Sequence, residues 1–449
     1  MSDIRMGWSR GAIGYREAQL ESPDFTAAMT LFVAGIPSLL IGAELAGRGV
    51  GLGQLILAAP IGVVAGALLM GLLGRQAAGS GAPGAYLGRP AFGSLGGLIF
   101  SLVRIGFTLA WAALVLQIAG RWAVVAMSTW DISLPLVVSM SILALLGVAA
   151  FIPGPRWSTR ALLRKRVFAV AIVVLLIAAW RILSNADASS EGTASGSFML
   201  AFDAVLGLAV LWSTIGSDIA AFAHRDEEAA TGLGYGFAIA SLLFVLAGAA
   251  FASRLGGVDS DLTLLGTGTL GAILALLWVP LMEVDGFGGL TASTAWSAET
   301  VLPWIPPRAL MVLAGGGALA GAIILDYETL RGVADLGLSL ITPAIGVILV
   351  DAFLVRGGSY SADELYRWHG DYGFINLIGL ASWVSGAAMT LWLRPKSAAV
   401  REWLPNWPGD GPGGLPGILI GLVTSAVIYF VVGKLIYDKS ARRHRLRRI

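Results

Sequence analysis

The strongest constraint on this chain is a succession of apolar runs, each about as long as a helix that crosses a bilayer. A spanning helix needs about 20 mostly apolar residues, and twelve segments of the sequence meet that requirement. Only 13% of the 449 residues are charged, whereas soluble proteins carry about 25%. The sequence therefore predicts an all-α polytopic membrane protein with twelve transmembrane helices. The predicted spans, numbered in chain order, are 25–46, 53–74, 95–120, 131–152, 166–184, 198–223, 231–253, 271–298, 308–326, 333–355, 371–393 and 414–437.

The composition also excludes several kinds of site. No cysteine is present, which excludes disulfides, thiolate metal sites and cysteine nucleophiles. The three histidines, His224, His369 and His444, lie far apart in sequence and do not suggest a metal centre. The net charge of +2 is not the basic footprint of a nucleic-acid-binding protein. We therefore expect no catalytic residues, no cofactor and no structural metal, and a monomeric chain whose main partner is the lipid bilayer.

The distribution of lysine and arginine predicts the orientation. Basic residues favour the cytoplasmic side of a membrane. They concentrate in the first tail, in the segment 156–166 and in the last residues of the chain, whereas the segment 185–197 has none. We therefore expect a multi-pass protein of the inner or plasma membrane with both termini in the cytoplasm.

Two spans contain residues that interrupt a simple apolar helix. Span 1 carries Gly35-Ile36-Pro37-Ser38 near its middle, and proline removes a backbone donor and frees carbonyl groups. Span 6 carries a polar cluster at 212–218. Broken backbone inside a membrane has to face a protein-lined cavity, and paired breaks five spans apart are typical of transporters built from inverted repeats. A packing kink is the alternative reading of the proline alone.

Four segments are similar to motifs of one transporter family. Residues 343–356 resemble P-x-x-G-V-I-x-x-D-Y-F-L-x-R, and residues 360–376 resemble Y-x-x-x-x-L-Y followed by G-x-Y-x-x-x-N. Residues 89–96 resemble R-x-x-F-G-x-x-G, and residues 217–225 stand where A-D-Y-x-R-Y is usual. These are motifs of the nucleobase–cation symporter family, whose members are permeases for cytosine, purines, uracil, hydantoins and allantoin. The similarity extends from about residue 25 to residue 437.

The chain departs from the family pattern at three places. Ala352 stands where a tyrosine is usual, and Ile219 and Ala221 stand where the family commonly has a tyrosine and an arginine. In span 8 the family commonly has T-T-N, whereas residues 291–297 contain hydroxyl groups and no asparagine. Hydroxyl groups, or a carboxylate, would then have to contact the polar rim of a substrate.

The resemblance implies a five-plus-five inverted-repeat fold, like that of bacterial amino-acid symporters, with two further C-terminal helices. Its parts would be a cytoplasmic tail at 1–24, a first repeat at 25–184, a second repeat at 198–355, helices 11 and 12 at 371–437, and a basic cytoplasmic tail at 438–449.

The implied function is secondary active import of a nucleobase or related planar heterocycle, such as cytosine or a purine, by alternating access coupled to Na⁺ or H⁺. Allantoin, a hydantoin or a vitamin-like pyrimidine are alternative substrates. A channel would not need paired broken helices. A membrane-embedded enzyme would have only Glu283, Asp285 and Asp218 as reactive groups within the spans.

Two tryptophans match the aromatic residues between which the family stacks its substrate. Trp111 in span 3 and Trp212 in span 6 lie near the middle of their spans, and offset stacking adds about 0.5–1.5 kcal/mol per aromatic pair beyond area burial. Core packing is the alternative for both. Ser38 stands near the position at which the family places a polar substrate contact in span 1. Alternatively, its hydroxyl bonds to the backbone of its own helix. Gln117 lies off the face of Trp111 and is expected to donate a hydrogen bond to another helix.

Span 8 and the break in span 1 supply candidate ligands for a coupling cation. Sodium prefers oxygen ligands. The resemblance places carbonyl groups of Ala34 and Pro37 opposite hydroxyl groups of Ser293 and Thr294, with Thr291 and Ser293 beside the substrate. Close helix packing is the alternative role of these small residues.

Two acidic residues within span 8 are further candidates. Glu283 and Asp285 follow Pro280 inside the predicted span, and a carboxylate at membrane depth is costly unless it is paired or wetted. Either one would carry a proton or accept hydrogen bonds from the substrate; otherwise both line an outer vestibule. Glu44, at the end of span 1, is expected near the interface. Arg104 of span 3 is a candidate partner for one of these three acids, or else its side chain extends to the inner surface of the membrane.

Overall fold

The computed structural model describes residues 20–154, 197–255, 282–358, 360–368, 370–394, 398–405 and 415–446, and these ranges contain helices and their connections with no β-sheet. The helices, numbered in chain order, are α1 Ser22–Val33, α2 Ile36–Gly47, α3 Leu52–Ser80, α4 Gly88–Ser128, α5 Leu136–Phe151, α6 Ser197–Ala220, α7 Asp226–Leu255, α8 Val284–Val301, α9 Pro307–Ile324, α10 Tyr327–Val350, α11 Ala362–Tyr366, α12 Leu377–Leu393, α13 Ala398–Trp403 and α14 Gly417–Leu446.

The described helices confirm that the chain is an all-α protein with several membrane spans. Six of them are long and apolar enough to cross a bilayer, and the bent pair α1 and α2 makes a seventh. Three further apolar helices, at 136–151, 377–393 and 417–433, are shorter. Predicted span 5 and residues 271–281 of predicted span 8 lie outside the described residues. The number twelve stays a prediction.

The predicted break in span 1 is confirmed. α1 ends at Val33, α2 begins at Ile36, and their axes differ by 50°. Pro37, near the N-terminus of α2, has no amide hydrogen to continue the ladder of the preceding helix. The hydroxyl of Ser38 donates to the carbonyl of Val33 across the break. This is the back-bonded alternative for Ser38, and it satisfies a carbonyl that the break leaves free.

The expected break in span 6 is wrong. α6 remains helical through 212–218 and ends at Ala220. The hydroxyls of Ser213, Thr214 and Ser217 each donate to the carbonyl three residues earlier in the same helix, at 2.7–3.1 Å. Because these side chains satisfy themselves on the helix backbone, the polar cluster does not require the helix to unwind.

The helices pack in groups. α1, α2, α3, α6 and α7 pack on one another, α4, α5, α8 and α9 form a second group, and α10, α12 and α14 form a third that packs on α4 through α10. The contact between α2 and α7 brings two backbones very close. A Cβ atom at Gly248 of α7 would collide with the carbonyl of Leu39, and one at Gly42 of α2 would collide with the carbonyl of Val245.

Two of the family-like motifs bind to each other at the start of α4. Gly93 has a left-handed backbone (φ 78°) that kinks the helix, a conformation that favours glycine. The kink lets the amide of Ser94 donate to the carbonyl of Gly373 at 3.1 Å, while the amide of Asn376 donates to the carbonyl of Phe92 at 2.9 Å. The motif at 89–96 is therefore a docking surface for the motif at 370–376.

The motif at 343–356 contains the C-terminal end of α10, where Asp351 lies in a polar cluster. This buried carboxylate accepts hydrogen bonds from Arg356 Nε at 3.0 Å, Tyr360 Oη at 2.8 Å and Tyr429 Oη at 2.6 Å. Burial, and then the neighbouring Asp351, raise the pKa of Tyr360 well above its usual value, so its hydroxyl stays a donor. These motifs tie α10, α14 and the loop between α10 and α12 together at the C-terminal end of α10.

Candidate functional site

An internal cavity opens near the other end of α10, between helices of different groups. Its volume is about 60 Å³, enough for a few water molecules. α2, α4, α6, α10 and the start of α14 contribute its walls. The lining residues are Ile41, Glu44, Leu45, Arg48, Phe107, Trp111, Leu200, Asp203, Ala204, Gly207, Leu208, Leu211, Arg331, Asp335, Leu338, Arg394 and Ile418.

Trp111 faces this cavity from α4. It is 6% exposed, and the guanidinium carbon of Arg331 lies 5.7 Å from the centroid of its ring. A cation over an indole face at that distance is attracted by the ring quadrupole. The cavity therefore has one aromatic wall that is already paired with a charge.

Arg331 is held from several sides. Its Nη2 donates to Glu44 Oε2 of α2 at 2.6 Å, and its Nε lies 3.6 Å from Asp335 Oδ1. Arg394, directly after α12, approaches the same Asp335 oxygen at 3.9 Å. The Glu44–Arg331 pair therefore joins the first helix group to α10 across the cavity. Glu44, which was expected only near the interface, forms an ion pair there.

Asp203 lies on the α6 side of the cavity. Its Oδ1 accepts hydrogen bonds from the amides of Ile418 and Leu419 at 2.8 and 3.2 Å. A carboxylate at a helix N-terminus is stabilised by the free amides and by the helix dipole. Asp203 therefore fixes the start of α14 against α6.

Trp212 occupies a different environment from Trp111. It is fully buried and is not among the residues that line the cavity. Its ring is stacked on Phe32 of α1, with centroids 6.3 Å apart and planes 11° apart. Its indole nitrogen has no hydrogen-bond partner among the described residues. The structure thus places the two predicted stacking residues on opposite helix groups, one facing the cavity and one packed against the broken helix.

Glu283 lies at the break in span 1. Its Oε1 accepts the amide of Ile36, the first residue of α2, at 2.7 Å. Both carboxylate oxygens come within 3.2 Å of the position of a Cβ atom at Gly35. Glu283 therefore caps α2 across the break, beside the buried candidate ligands Ala34 and Pro37. Asp285 lies half-buried in the first turn of α8.

The hydroxyls of α8 are used within the protein. Thr291 Oγ1 lies 3.0 Å from the carbonyls of Phe287 and Gly288 in its own helix. Thr294 Oγ1 lies 2.7 Å from Thr108 Oγ1 of α4. These hydroxyls join α8 to itself and to α4, whereas Glu283 makes the contact with the break.

A buried ion pair links α4 and α6. Arg104 Nη2 donates to Asp218 Oδ2 at 2.7 Å, and the two side chains are 2% and 0% exposed. Ser293 of α8 bridges them, since its Oγ accepts from Arg104 at 3.0 Å and donates to Asp218 at 2.6 Å. The expected partnership of Arg104 with Glu283, Asp285 or Glu44 is therefore wrong, because Asp218 lies against Arg104 and satisfies its charge.

From the sequence, Asp218 is a candidate only for the enzyme alternative, and Arg331 is not a candidate for any role. The signal for Asp218 was present, because one arginine in span 3 and one aspartate in span 6 are opposite charges inside apolar runs. Arg331 precedes predicted span 10, so the hydropathy pattern gives no signal for it. Gln117 behaves as expected, with its Nε2 donating to the carbonyls of Ala322 and Leu325 at 2.9 and 2.8 Å.

A broken spanning helix, together with ion pairs between packed helix groups, is typical of an α-helical membrane transporter. Residues 24–402 match the family model described as permease for cytosine/purines, uracil, thiamine, allantoin, and the chain belongs to this family. No curated protein matches it in sequence.

Solved transporters share the fold. Mhp1, a nucleobase-cation-symport-1 family transporter, in a closed conformation with bromovinylhydantoin bound, is 17% identical with a TM-score of 0.75, covering 96% of each chain. Mhp1 in its inward-facing conformation is 17% identical with a TM-score of 0.68, covering 96% of this chain and 93% of that one. A Na⁺-coupled sialic acid symporter is 13% identical with a TM-score of 0.63, covering 96% of this chain and 95% of that one.

Proposed function

We propose that this permease imports a nucleobase or a related planar heterocycle, such as cytosine or a purine, by cation-coupled alternating access. The observation that carries the proposal is Trp111, an indole that faces a cavity with charged walls in a chain of the cytosine, purine, uracil, thiamine and allantoin permease family. An aromatic wall suits a ring with large apolar faces, and the surrounding charged groups suit its polar rim.

The proposed direction follows from the predicted orientation. With both termini in the cytoplasm, α1 and α2 cross the membrane once, so the C-terminal end of α2 lies on the outer side. The cavity beside Glu44 would then be the outer part of the pathway. Rocking of the first helix group against the second would move access from this side to the cytoplasm. Allantoin, a hydantoin or a vitamin-like pyrimidine are the other substrates that the family supports.

The coupling ion is Na⁺ or H⁺ in this proposal. The break between α1 and α2 lies beside Ala34 and Pro37, whose main-chain carbonyls are the predicted ligands, and oxygen is the ligand that sodium prefers. Glu283 places a carboxylate at the same break. Both features favour a cationic partner at this point of the fold.

Uptake by purified protein in liposomes tests the proposal. Radiolabelled cytosine, adenine, uracil and allantoin are supplied outside, with a sodium gradient, a proton gradient or neither. We expect concentrative uptake of at least one ring with one of the two gradients. Uptake of none of the four under either gradient contradicts the proposed substrate class, and uptake that no gradient accelerates contradicts coupling.

A further inference from the structure

One donor of Arg331 has no partner although it is buried in the wall of the cavity. Nη2 is bonded to Glu44 at 2.6 Å, whereas Nη1 is buried with no hydrogen-bond partner among the described residues. A buried donor left unsatisfied costs about 1–3 kcal/mol. Such a group is expected to meet a water molecule or an acceptor atom of a ligand that enters the cavity.

The position of this donor is fixed. Glu44 and Asp335 hold the guanidinium on one side, and the ring of Trp111 lies 5.7 Å from its central carbon. The planar guanidinium presents its donors in a rigid fork. Nη1 is therefore preorganised beside the aromatic wall of the cavity.

The charges around the cavity favour a neutral ligand. Three arginines, Arg48, Arg331 and Arg394, and three acids, Glu44, Asp203 and Asp335, line it. Because these formal charges cancel, an anion gains no net attraction from the cavity. A neutral ring that carries a hydrogen-bond acceptor satisfies the free donor without adding a charge.

We propose that Arg331 is a specificity-determining residue that donates from Nη1 to a carbonyl oxygen of a neutral planar substrate in the cavity beside Trp111. The inference rests on the proposed function. It adds that the permease selects rings by an acceptor on the edge that meets α10. Removal of that acceptor from the ligand leaves the guanidinium donor unpaired again, and sites of this kind reject such analogues strongly.

The test compares rings that differ by one carbonyl oxygen. Calorimetric titration of purified protein is carried out with cytosine against 4-aminopyrimidine and with hypoxanthine against purine. We expect the carbonyl-bearing ring of a pair to bind at least about tenfold more tightly to the wild type, as expected for a hydrogen bond to a charged group. Arg331→Met should reduce this preference to less than about twofold. Equal binding of both members of each pair by the wild type overturns the inference without any variant.

Two further variants separate recognition from the ion pair. Glu44→Gln removes the charge that faces Arg331 but leaves Nη1 in place, so the preference should persist. If Glu44→Gln loses the preference as fully as Arg331→Met, the ion pair rather than the donor controls binding and the inference is wrong. Arg75 of α3 forms an exposed ion pair with Asp226 of α7. Arg75→Met is therefore the matched arginine control, and it should bind each ring as the wild type does.

The outcome is separable from that of the proposed function. Absence of binding by all four rings overturns this inference, and the uptake panel, which includes uracil and allantoin, decides independently whether the proposed function also fails. Uptake of a ring together with equal binding of the paired analogues leaves the proposed function standing and removes only the role of Arg331.

Discussion

Arg104 of α4 and Asp218 of α6 form an ion pair at 2.7 Å in which both side chains are almost completely buried. The pair joins the first helix group to the second, and Ser293 of α8 bonds to both partners. Desolvation of two charges offsets much of their attraction, so such a pair adds little net stability, yet removal of one partner is costly.

Asp218→Asn should therefore destabilise the protein strongly. The substitution keeps the size of the side chain and an acceptor for the amide of Ala85, but it leaves the Arg104 charge buried without a counter-charge. We expect a loss of about 3–5 kcal/mol in the free energy of unfolding, measured by denaturant titration in mixed micelles.

The double variant Arg104→Met with Asp218→Asn tests the reason. Removal of both charges should cost clearly less than the sum of the two single substitutions, because the partners act as a unit. Strict additivity would show that the two side chains do not interact in the folded protein. Arg75→Gln, which removes an exposed pair, should change stability by less than about 1 kcal/mol.

The break in span 1 was only partly predictable from the sequence. Pro37 lacks an amide hydrogen whatever surrounds it, so the loss of a helical hydrogen bond there follows from covalent structure. Pro60 and Pro343 lie within continuous helices, so packing also decides whether a proline breaks its helix. The polar cluster of α6 is different. Ser213 and Thr214 either interrupt a helix or bond back to it, and the neighbouring helices decide which, so the sequence alone led to the wrong expectation.

The partners of charged residues depend on how helices are rotated against each other. Hydropathy reports where a helix crosses the membrane, but not which face meets which neighbour. The sequence could therefore mark Arg104 and Glu283 as unusual, but it could not predict that the first contacts Asp218 and the second contacts the amide of Ile36. Trp111 was found because the family resemblance marks its position.

Trp111→Ala and Trp212→Ala should each weaken binding of the transported ring by roughly 1–3 kcal/mol, the scale of stacking between bases and aromatic side chains. Trp212 is also packed on Phe32, so its truncation should lower stability as well, by about 3–5 kcal/mol. Trp212→Phe keeps most of that packing and is the variant on which binding should be measured. Unchanged affinity in Trp111→Ala and in both Trp212 variants would assign the two indoles to the core alone.

Substitutions at Glu283 separate its acceptor from its charge. Glu283→Gln retains an oxygen that can accept the Ile36 amide at the start of α2, whereas Glu283→Ala leaves that buried amide without its partner. We expect Glu283→Ala to lose about 1–3 kcal/mol of stability more than Glu283→Gln does, measured by unfolding in micelles. Equal stability of the two variants would show that the hydrogen bond across the break does not support the folded state.

The close approach of α2 and α7 gives the last prediction. A Cβ atom at Gly248 meets the carbonyl of Leu39, whereas one at Gly106 of α4 meets nothing within 4 Å. Both glycines are helical, and alanine has a higher helix propensity than glycine by about 1 kcal/mol. Gly106→Ala should therefore leave the melting temperature unchanged or raise it slightly. Gly248→Ala should lower the melting temperature, because the backbone of Leu39 cannot move aside as a flexible side chain can, and α7 must shift away from α2.

The shift of α7 would widen the contact beside the break at Gly35. Uptake should therefore fall together with stability in Gly248→Ala and stay at the wild-type rate in Gly106→Ala. A melting temperature of Gly248→Ala equal to that of Gly106→Ala would contradict the close packing of these two helices.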